Sequence, residues 1–413
     1  MLLATALVLL MTPALGLFYG GLVRAKNALN TMMMSVASLG VVCVVWALVA
    51  YTLAFAGGTD WLGGLEHSFL RGVGLEAKGT IPHLVYMAYQ GSFAIVTAAL
   101  ISGALVERMR FGPYLIFIAF WTIAVYAPIA HWVWGGGWLG KLGVLDYAGG
   151  TVVHVNAASA ALIGALVLRP RKDYGRQALL PHNVPYALVG AALLWFGWFG
   201  FNGGSALGAN RGAALAFVNT LLAPATTLVA WMVLDLLRTT RATAVGAATG
   251  IVVGLVAVTP AAGFVGPLGA MAIGAIAAVP SYFAILWRSR SALDDSLDVV
   301  AAHGVGGTTG ALLTGVFAQA SWGGSSGALS GNVRQLGVQV VGIIAAMLYS
   351  GVVTLVLIKL IARFVPLRSD GRDEAVGLDI TQHGEEAYSH GEGAVLLMPS
   401  PAPPNIQQER ISP

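Results

Sequence analysis

A chain of 413 residues that is 57% hydrophobic and only 10% charged, with a mean hydropathy of +0.77, is excluded from the water-soluble globular class, where about 25% of residues are charged. The net charge of +4 and pI near 9.2 call for no nucleic-acid partner, because basic residues beside membrane spans serve to orient a protein in its membrane. The 54 glycines suit close helix packing in lipid, and the single cysteine, Cys43, excludes an internal disulfide.

Eleven apolar spans are expected, at about 1–23, 31–56, 84–106, 112–131, 147–168, 184–203, 212–236, 242–258, 261–281, 298–317 and 333–362. The first has no charged segment before it and is followed by Arg24 and Lys26, so it is read as a retained span and not as a cleaved signal peptide. Of the 22 Lys and Arg, only Arg71, Lys78, Lys141, Arg211 and Arg334 fall on the side where the chain starts; the other 17 fall on the opposite side or in the tail. That asymmetry predicts the N-terminus outside and the C-terminus inside.

The fold class expected is therefore an all-α polytopic membrane protein of eleven transmembrane helices. The first ten divide into two sets of five, the second inverted, and an eleventh helix braces the bundle. GLFYGG in span one resembles FGFNGGS in span six. Residues 1–365 form the transmembrane domain and 366–413 a cytoplasmic tail. The tail holds 8 of the 18 acids and reads as solvated, with a Pro-rich end, PSPAPPNIQQERISP, that reads as disordered. The outer loop from Gly57 to His83 carries His67 and His83, read as solvated or locally bonded.

Two segments stand out. DYAGGTVVHVN places Asp146 at the mouth of an apolar span and His154 within it, and DDSLDVVAAHGVGGTTG places Asp295 eight residues before His303. Eight helical residues span roughly 12 Å, so each imidazole lies about a third of the way through a bilayer core of ~30 Å. Ionisable groups at that depth mark functional sites, and matched units half a chain apart suit a transporter built from inverted repeats. A pair of structural histidines bonded to backbone carbonyls fits the same spacing, and a metal site would lack a third ligand.

Aromatic residues cluster at the outer span ends: Trp134 in HWVWGGGW, Tyr89 and Phe93 four apart in YQGSF, and Trp198 and Phe201 in WFGFNGGS, followed by Ser205. Such residues serve either as a membrane-interface belt or as a cation–π site, worth ~2 kcal/mol or more when desolvated.

With these motifs in order, GLFYGG, DYAGGTVVHVN, GWFGFNGGS, VVAAHGVGGTTGALLTG and the tail segment GLDITQHGEEAY, nearly the whole chain resembles the Amt/Mep/Rh ammonium transporter family, on its bacterial Amt branch. The resemblance implies that Trp134, Tyr89 and Ser205 form an outer ammonium-recruiting vestibule. Phe93 and Phe201 form the stacked pair closing the pore, His154 and His303 line a hydrophobic lumen, and Trp198 stands beside it. Asp146 supports the entry, through backbone hydrogen bonds and not by touching substrate. Tyr89 departs from the pattern, since phenylalanine is familiar there, and its hydroxyl brings a donor and acceptor to the vestibule.

The implied function is ammonium transport without a cofactor: ammonium is recruited, deprotonated and passed as ammonia, the proton moving separately. Ammonium and potassium have nearly equal size, so a sieve cannot separate them, whereas an apolar lumen rejects intact ions through desolvation. An ammonium sensor signalling through its tail and a neutral gas channel of the Rh type are the alternatives. The resemblance also implies a homotrimer embedded in membrane lipid and a PII-type regulatory protein at the tail.

Overall fold

Backbone amides find no water in a bilayer, so each apolar segment satisfies its own hydrogen bonds by coiling into a helix. The computed structural model describes residues 1–388; the expected disorder at residues 399–413 lies outside the described residues. The helices are α1 (Leu2–Leu22), α2 (Ala25–Phe55), α3 (His83–Ser102), α4 (Phe111–Leu142), α5 (Gly150–Leu168), α6 (Val184–Gly204), α7 (Arg211–Thr239), α8 (Ala244–Val258), α9 (Pro267–Arg288), α10 (Val300–Val305 continuing as Gly306–Phe317) and α11 (Val333–Ala362). Among the described residues, nine of these, all but α8 and α10, are long and apolar enough to cross a membrane. A two-stranded hairpin, β1 (Ala77–Lys78) and β2 (Ile81–Pro82), lies in the loop between α2 and α3. In that loop His67 Nδ1 meets Arg71 O at 3.1 Å and His83 Nε2 meets Tyr51 Oη at 2.6 Å, so both rings are locally bonded.

Two boundaries move from their expected places. The apolar residues at 261–265 form turns, and α9 starts at Pro267, because proline is pre-set for the first helical turn. The third helix stops at Ser102. The apolar residues 103–106 continue as buried turns, ending at Glu107 with φ 66°.

The GLFYGG and FGFNGGS segments sit on helices that cross in close contact. A side chain at Gly21 would strike the backbone of Asn183 and Ala187, one at Gly190 the backbone of Phe18, one at Gly197 Leu7 O at 2.8 Å, and one at Gly200 Ala4 O at 2.8 Å. The partners on α1 run backwards as α6 runs forwards, so the two helices are antiparallel, as inverted halves require. Glycine there lets the backbones touch, the usual basis of helix association in lipid.

The basic side of the bundle is tied by buried charges. Glu107 accepts from Arg24 Nε at 2.9 Å, the Arg24 amide at 3.1 Å and Asn27 Nδ2 at 2.9 Å, and also pairs with Arg171. Arg171 grips Asp294 with Nε at 2.9 Å and Nη2 at 2.7 Å, the two-pronged geometry that makes such pairs strong. Arg108 spans Ala104 O, Asp294 O and Ser296 Oγ, all at 2.7 Å or less.

The first part of the tail joins this side instead of lying in solvent. Arg368 bonds Leu168 O at 2.8 Å and Glu374 at 2.6 Å, and Lys26 Nζ donates to Glu374 O at 2.9 Å. Asp379 caps α2 by accepting from the amides of Leu29 at 3.0 Å and Asn30 at 2.7 Å. His383 and Tyr388 reach Asn30 and His182. Burial raises the carboxyl of Glu107, but the charges of Arg171 and Arg24 outweigh it and leave the group below its ordinary value; for Asp294 burial is likewise outweighed, by hydrogen bonds and charge from Arg171.

Folded-state values below the unfolded ones mean that this network stabilises fully above the ordinary carboxyl range, near pH ~4, and loses its contribution as pH falls through the depressed values. Thermal unfolding of detergent-solubilised protein should therefore hold from neutral pH down to that range and drop below it. Glu107→Gln removes one of the two carboxylates that pair with the buried Arg171 and the half-buried Arg24, whose other partners Asp294 and Asp173 remain; it should cost about 1.5–3 kcal/mol at neutral pH and flatten that acid-side loss, and an unchanged acid profile would remove Glu107 from the account.

Candidate functional site

The site begins at the first turn of α5, where four backbone amides have no partner within the helix. One carboxylate takes all four. Asp146 Oδ1 accepts from Gly149 at 2.8 Å and Gly150 at 2.6 Å, and Oδ2 accepts from Thr151 at 2.8 Å and Val152 at 3.0 Å. Gly149 has φ 115°, a conformation that disfavours any side chain. The turn that follows, Gly150–Val155, is π-helical and carries His154. Asp295 does a smaller part of this for the second unit, accepting from the Val300 amide at 2.7 Å, and the π-helical turn Val300–Val305 carries His303. Extra-wide turns of this kind often sit at functional sites.

The two turns approach from opposite faces of the bundle, and their rings meet. His154 Nδ1 and His303 Nδ1 are 3.2 Å apart, with ring centroids at 5.2 Å and planes at 29°. A hydrogen bond between two Nδ1 atoms needs one proton between them, so one ring donates and the other accepts. His154 Nε2 is buried without a partner; it is left as a donor or an acceptor according to which ring holds that proton. Leu15, Val96, Leu100 and Val252 wall the rings, and the space between is ≈ 10 Å³, at the lower limit of the ~10–15 Å³ that one water needs.

Above His154 the aromatics stack in sequence. Trp198 lies at 5.4 Å and 23°, its indole N–H held by Thr259 Oγ1 at 2.9 Å. Phe201 follows at 6.1 Å and is stacked on Phe93 at 4.1 Å and 21°. Phe93 meets Tyr89 at 4.9 Å and Trp134 at 6.0 Å, both edge-on. Trp134 is fixed by donation to Asp146 O at 2.9 Å. His303, His154, Trp198, Phe201, Phe93, Tyr89 and Trp134 thus form one chain of ring contacts, which Ser205 joins through Tyr89 and Asp146 joins through the Trp134 indole. Beyond His303 a cavity of ≈ 160 Å³ opens toward the tail side, lined in part by Phe18, Tyr19, Arg288 and Asp298.

Tyr89 resolves differently from its expected vestibule role. Its hydroxyl faces α6, 2.8 Å from Phe201 O and 3.1 Å from Gly200 O, and 3.2 Å from Ser205 Oγ. Ser205 spends its own proton on Phe201 O at 2.9 Å or on Tyr89. The serine oxygen therefore keeps lone pairs for an incoming donor. Sequence reasoning missed Thr259 and Gln339. Gln339 accepts from Leu145 N at 2.8 Å and donates to Leu145 O at 2.8 Å and Ala311 O at 3.0 Å, clamping the Asp146 loop to α11 and α10. Two glutamines one turn apart, Gln335 and Gln339, within a 30-residue apolar helix were the available signal.

A helical membrane bundle with an aromatic-capped, imidazole-lined apolar path is the architecture of a small-molecule transport protein. The profile of the Ammonium Transporter Family matches residues 1–388, and the chain belongs to that family, whose substrate is ammonium. It is 47% identical over 388 residues to the ammonium transporter of Bacillus subtilis (strain 168), covering 92% of this chain and 96% of that one. Among solved structures it resembles Saccharomyces cerevisiae Mep2, with a TM-score of 0.84 and 37% identity over 90% of this chain and 88% of that one. It also resembles a Sensor Amt Protein, with a TM-score of 0.87 and 30% identity over 92% and 96%. It is a multi-pass membrane protein.

Replacing Gln339 by Leu would leave the Leu145 amide and carbonyl without the partner that Gln339 supplies, at ~1–3 kcal/mol for each such buried group. The expected result is a lowered melting temperature in detergent together with reduced substrate flux, since the strained loop carries Asp146. Wild-type stability in Gln339→Leu would show that the clamp is dispensable.

Proposed function

We propose that this protein recruits ammonium at the outer aromatic end, strips its proton and conducts ammonia past His154 and His303, the proton travelling separately along the histidine pair. The observation that carries this reading is the 3.2 Å contact between two imidazoles inside an apolar path sealed by stacked phenylalanines. A desolvated ammonium ion is costly at such a place, whereas neutral ammonia is not, and one imidazole can accept a proton while its neighbour donates one. Trp134, Phe93 and Ser205 supply a ring face, a ring edge and an oxygen acceptor at the entry; a cation over an aromatic face is worth ~2 kcal/mol or more once desolvated. Asp146 acts by holding the first turn of α5. Phe93 and Phe201 form the gate, and Trp198 walls the lumen below it.

The topology that goes with this reading has eleven spans, the N-terminus outside, the tail in the cytoplasm and the cell membrane as location. The assembly is a homotrimer, and a PII-type protein docks at the tail side. A catalytic metal reading finds little support, because among the described residues no three His, Cys, Asp or Glu side chains cluster to hold an ion. The neutral-gas reading is disfavoured by Trp134 at the entry. A sensor reading draws on the likeness to the Sensor Amt Protein and on the tail packed against α2; a pure sensor would bind ammonium without conducting it.

Purified protein in liposomes, assayed by ammonium uptake and by currents on a supported membrane with ammonium or potassium, tests the proposal. Wild type should move ammonium and exclude potassium. His154→Ala and His303→Ala should each abolish ammonium movement or admit potassium. Full, potassium-insensitive ammonium currents from the double variant would refute the histidine path, and binding without flux in wild type would favour the sensor. Because the Tyr89 hydroxyl is taken up by α6, Tyr89→Phe should lower stability by about 1 kcal/mol and leave the ammonium concentration dependence of flux unchanged; a shifted half-saturation would place that hydroxyl on substrate.

A further inference from the structure

Outside the path, a groove of ≈ 550 Å³ lies between α5, α10 and α11. That volume lies within the ~300–1,000 Å³ of ordinary ligand pockets. Its walls are apolar side chains such as Leu162, Met347 and Val352, together with the small residues Ala158, Gly304 and Gly351. Small residues in membrane helices normally let backbones close on each other. At Gly304 they do so, since an added side-chain carbon would meet Ala158 Cβ at 3.1 Å, but at Gly351 it would meet only Ile163 Cγ1, at 3.8 Å. Beside Gly351 a gap remains between α11 and α5 that no side chain fills.

Three observations define what fits. The groove is flanked by outward-facing apolar residues, Leu348 at 63% and Val352 at 60% exposure on α11 and Leu166 at 57% on α5, so it opens sideways into hydrocarbon. It runs from Met347 to Leu355 along α11, eight helical residues or roughly 12 Å, close to one leaflet of a hydrocarbon core of ~30 Å. On each of its three helices it extends from mid-span toward the end nearer the tail. Its floor is the back of the turn that carries His303, through Val300 and Gly304.

We propose that this groove binds one acyl chain of a lipid from the tail-side leaflet, packed against the reverse side of the His303 turn. The chain would complete the wall that the small residues leave open and hold that turn from outside the path. The proposal is independent of which molecule the path conducts.

The test uses the full-length protein reconstituted with a phosphatidylcholine bearing a diazirine on one acyl chain, with cross-linked peptides mapped by mass spectrometry. Wild type should label at Leu162, Met347 or Val352 as well as at the exposed apolar residue Val189 on α6. Gly351→Leu projects into the open groove with no backbone in its way, and should lose the groove labels while keeping those on α6. Gly351→Ala should retain both. Equal groove labelling in wild type and Gly351→Leu would overturn the proposal, and so would labels on α6 alone in wild type or cross-links from the groove to a second copy of the chain in place of lipid.

Discussion

A single carboxylate determines where the path can be. By taking the four free amides at the start of α5, Asp146 fixes the helix end, and through its own carbonyl it fixes Trp134. His154 then follows eight residues on, at a set depth and on a set face. A lysine or a water could not do this work: only an acceptor with several lone pairs satisfies four donors at once. Asp295 does part of the same for His303 from the opposite side. The two rings meet because two carboxylates hold two turns of equal length, one from each face of the bundle.

On the proposed reading, selectivity rests on differences of solvation. At one end of the aromatic stack the polar protons are pre-committed: the Tyr89 and Ser205 hydroxyls both lie within hydrogen-bond reach of Phe201 O on α6. One layer down, Phe93 and Phe201 offer only ring surfaces at van der Waals distance. Potassium could balance neither loss, because it donates no directional hydrogen bond and cannot shed its charge. Ammonium differs in both respects, and the imidazole pair lies where shedding a proton is useful.

Much of this was legible in the sequence because membrane physics is periodic and severe. Long apolar segments, the lysine and arginine bias, and rare ionisable residues at matched spacing gave the bundle and the two histidines. The motif GWFGFNGGS gave Trp198, Phe201 and Ser205. What was not legible depends on tertiary approach. Nothing in the sequence shows that 261–265 turns back beneath Tyr147 instead of extending α9, nor that the Tyr89 hydroxyl faces α6 and not the vestibule. The buried set Glu107, Arg171 and Asp294 is spread over three loops, and each member alone looks like an ordinary charge at a span end.

That charge set also explains how the tail and the path can share one mechanical frame. Arg108 holds Ser296 and the Asp294 carbonyl, immediately before Asp295 and the His303 turn. Arg171 joins the same aspartate to Glu107, and Glu107 holds Arg24 and Asn27 at the start of α2. Asn27 in turn receives the Leu378 amide of the tail, and Asp379 caps the helix beside it. Each link is a hydrogen bond or ion pair among mostly buried groups, where screening by salt is weak. Moving the tail segment therefore requires giving up caps on α2 that nothing else supplies. A continuous set of hydrogen bonds and ion pairs thus runs from the tail segment through Asn27, Glu107, Arg171 and Asp294 to the residues just before the His303 turn.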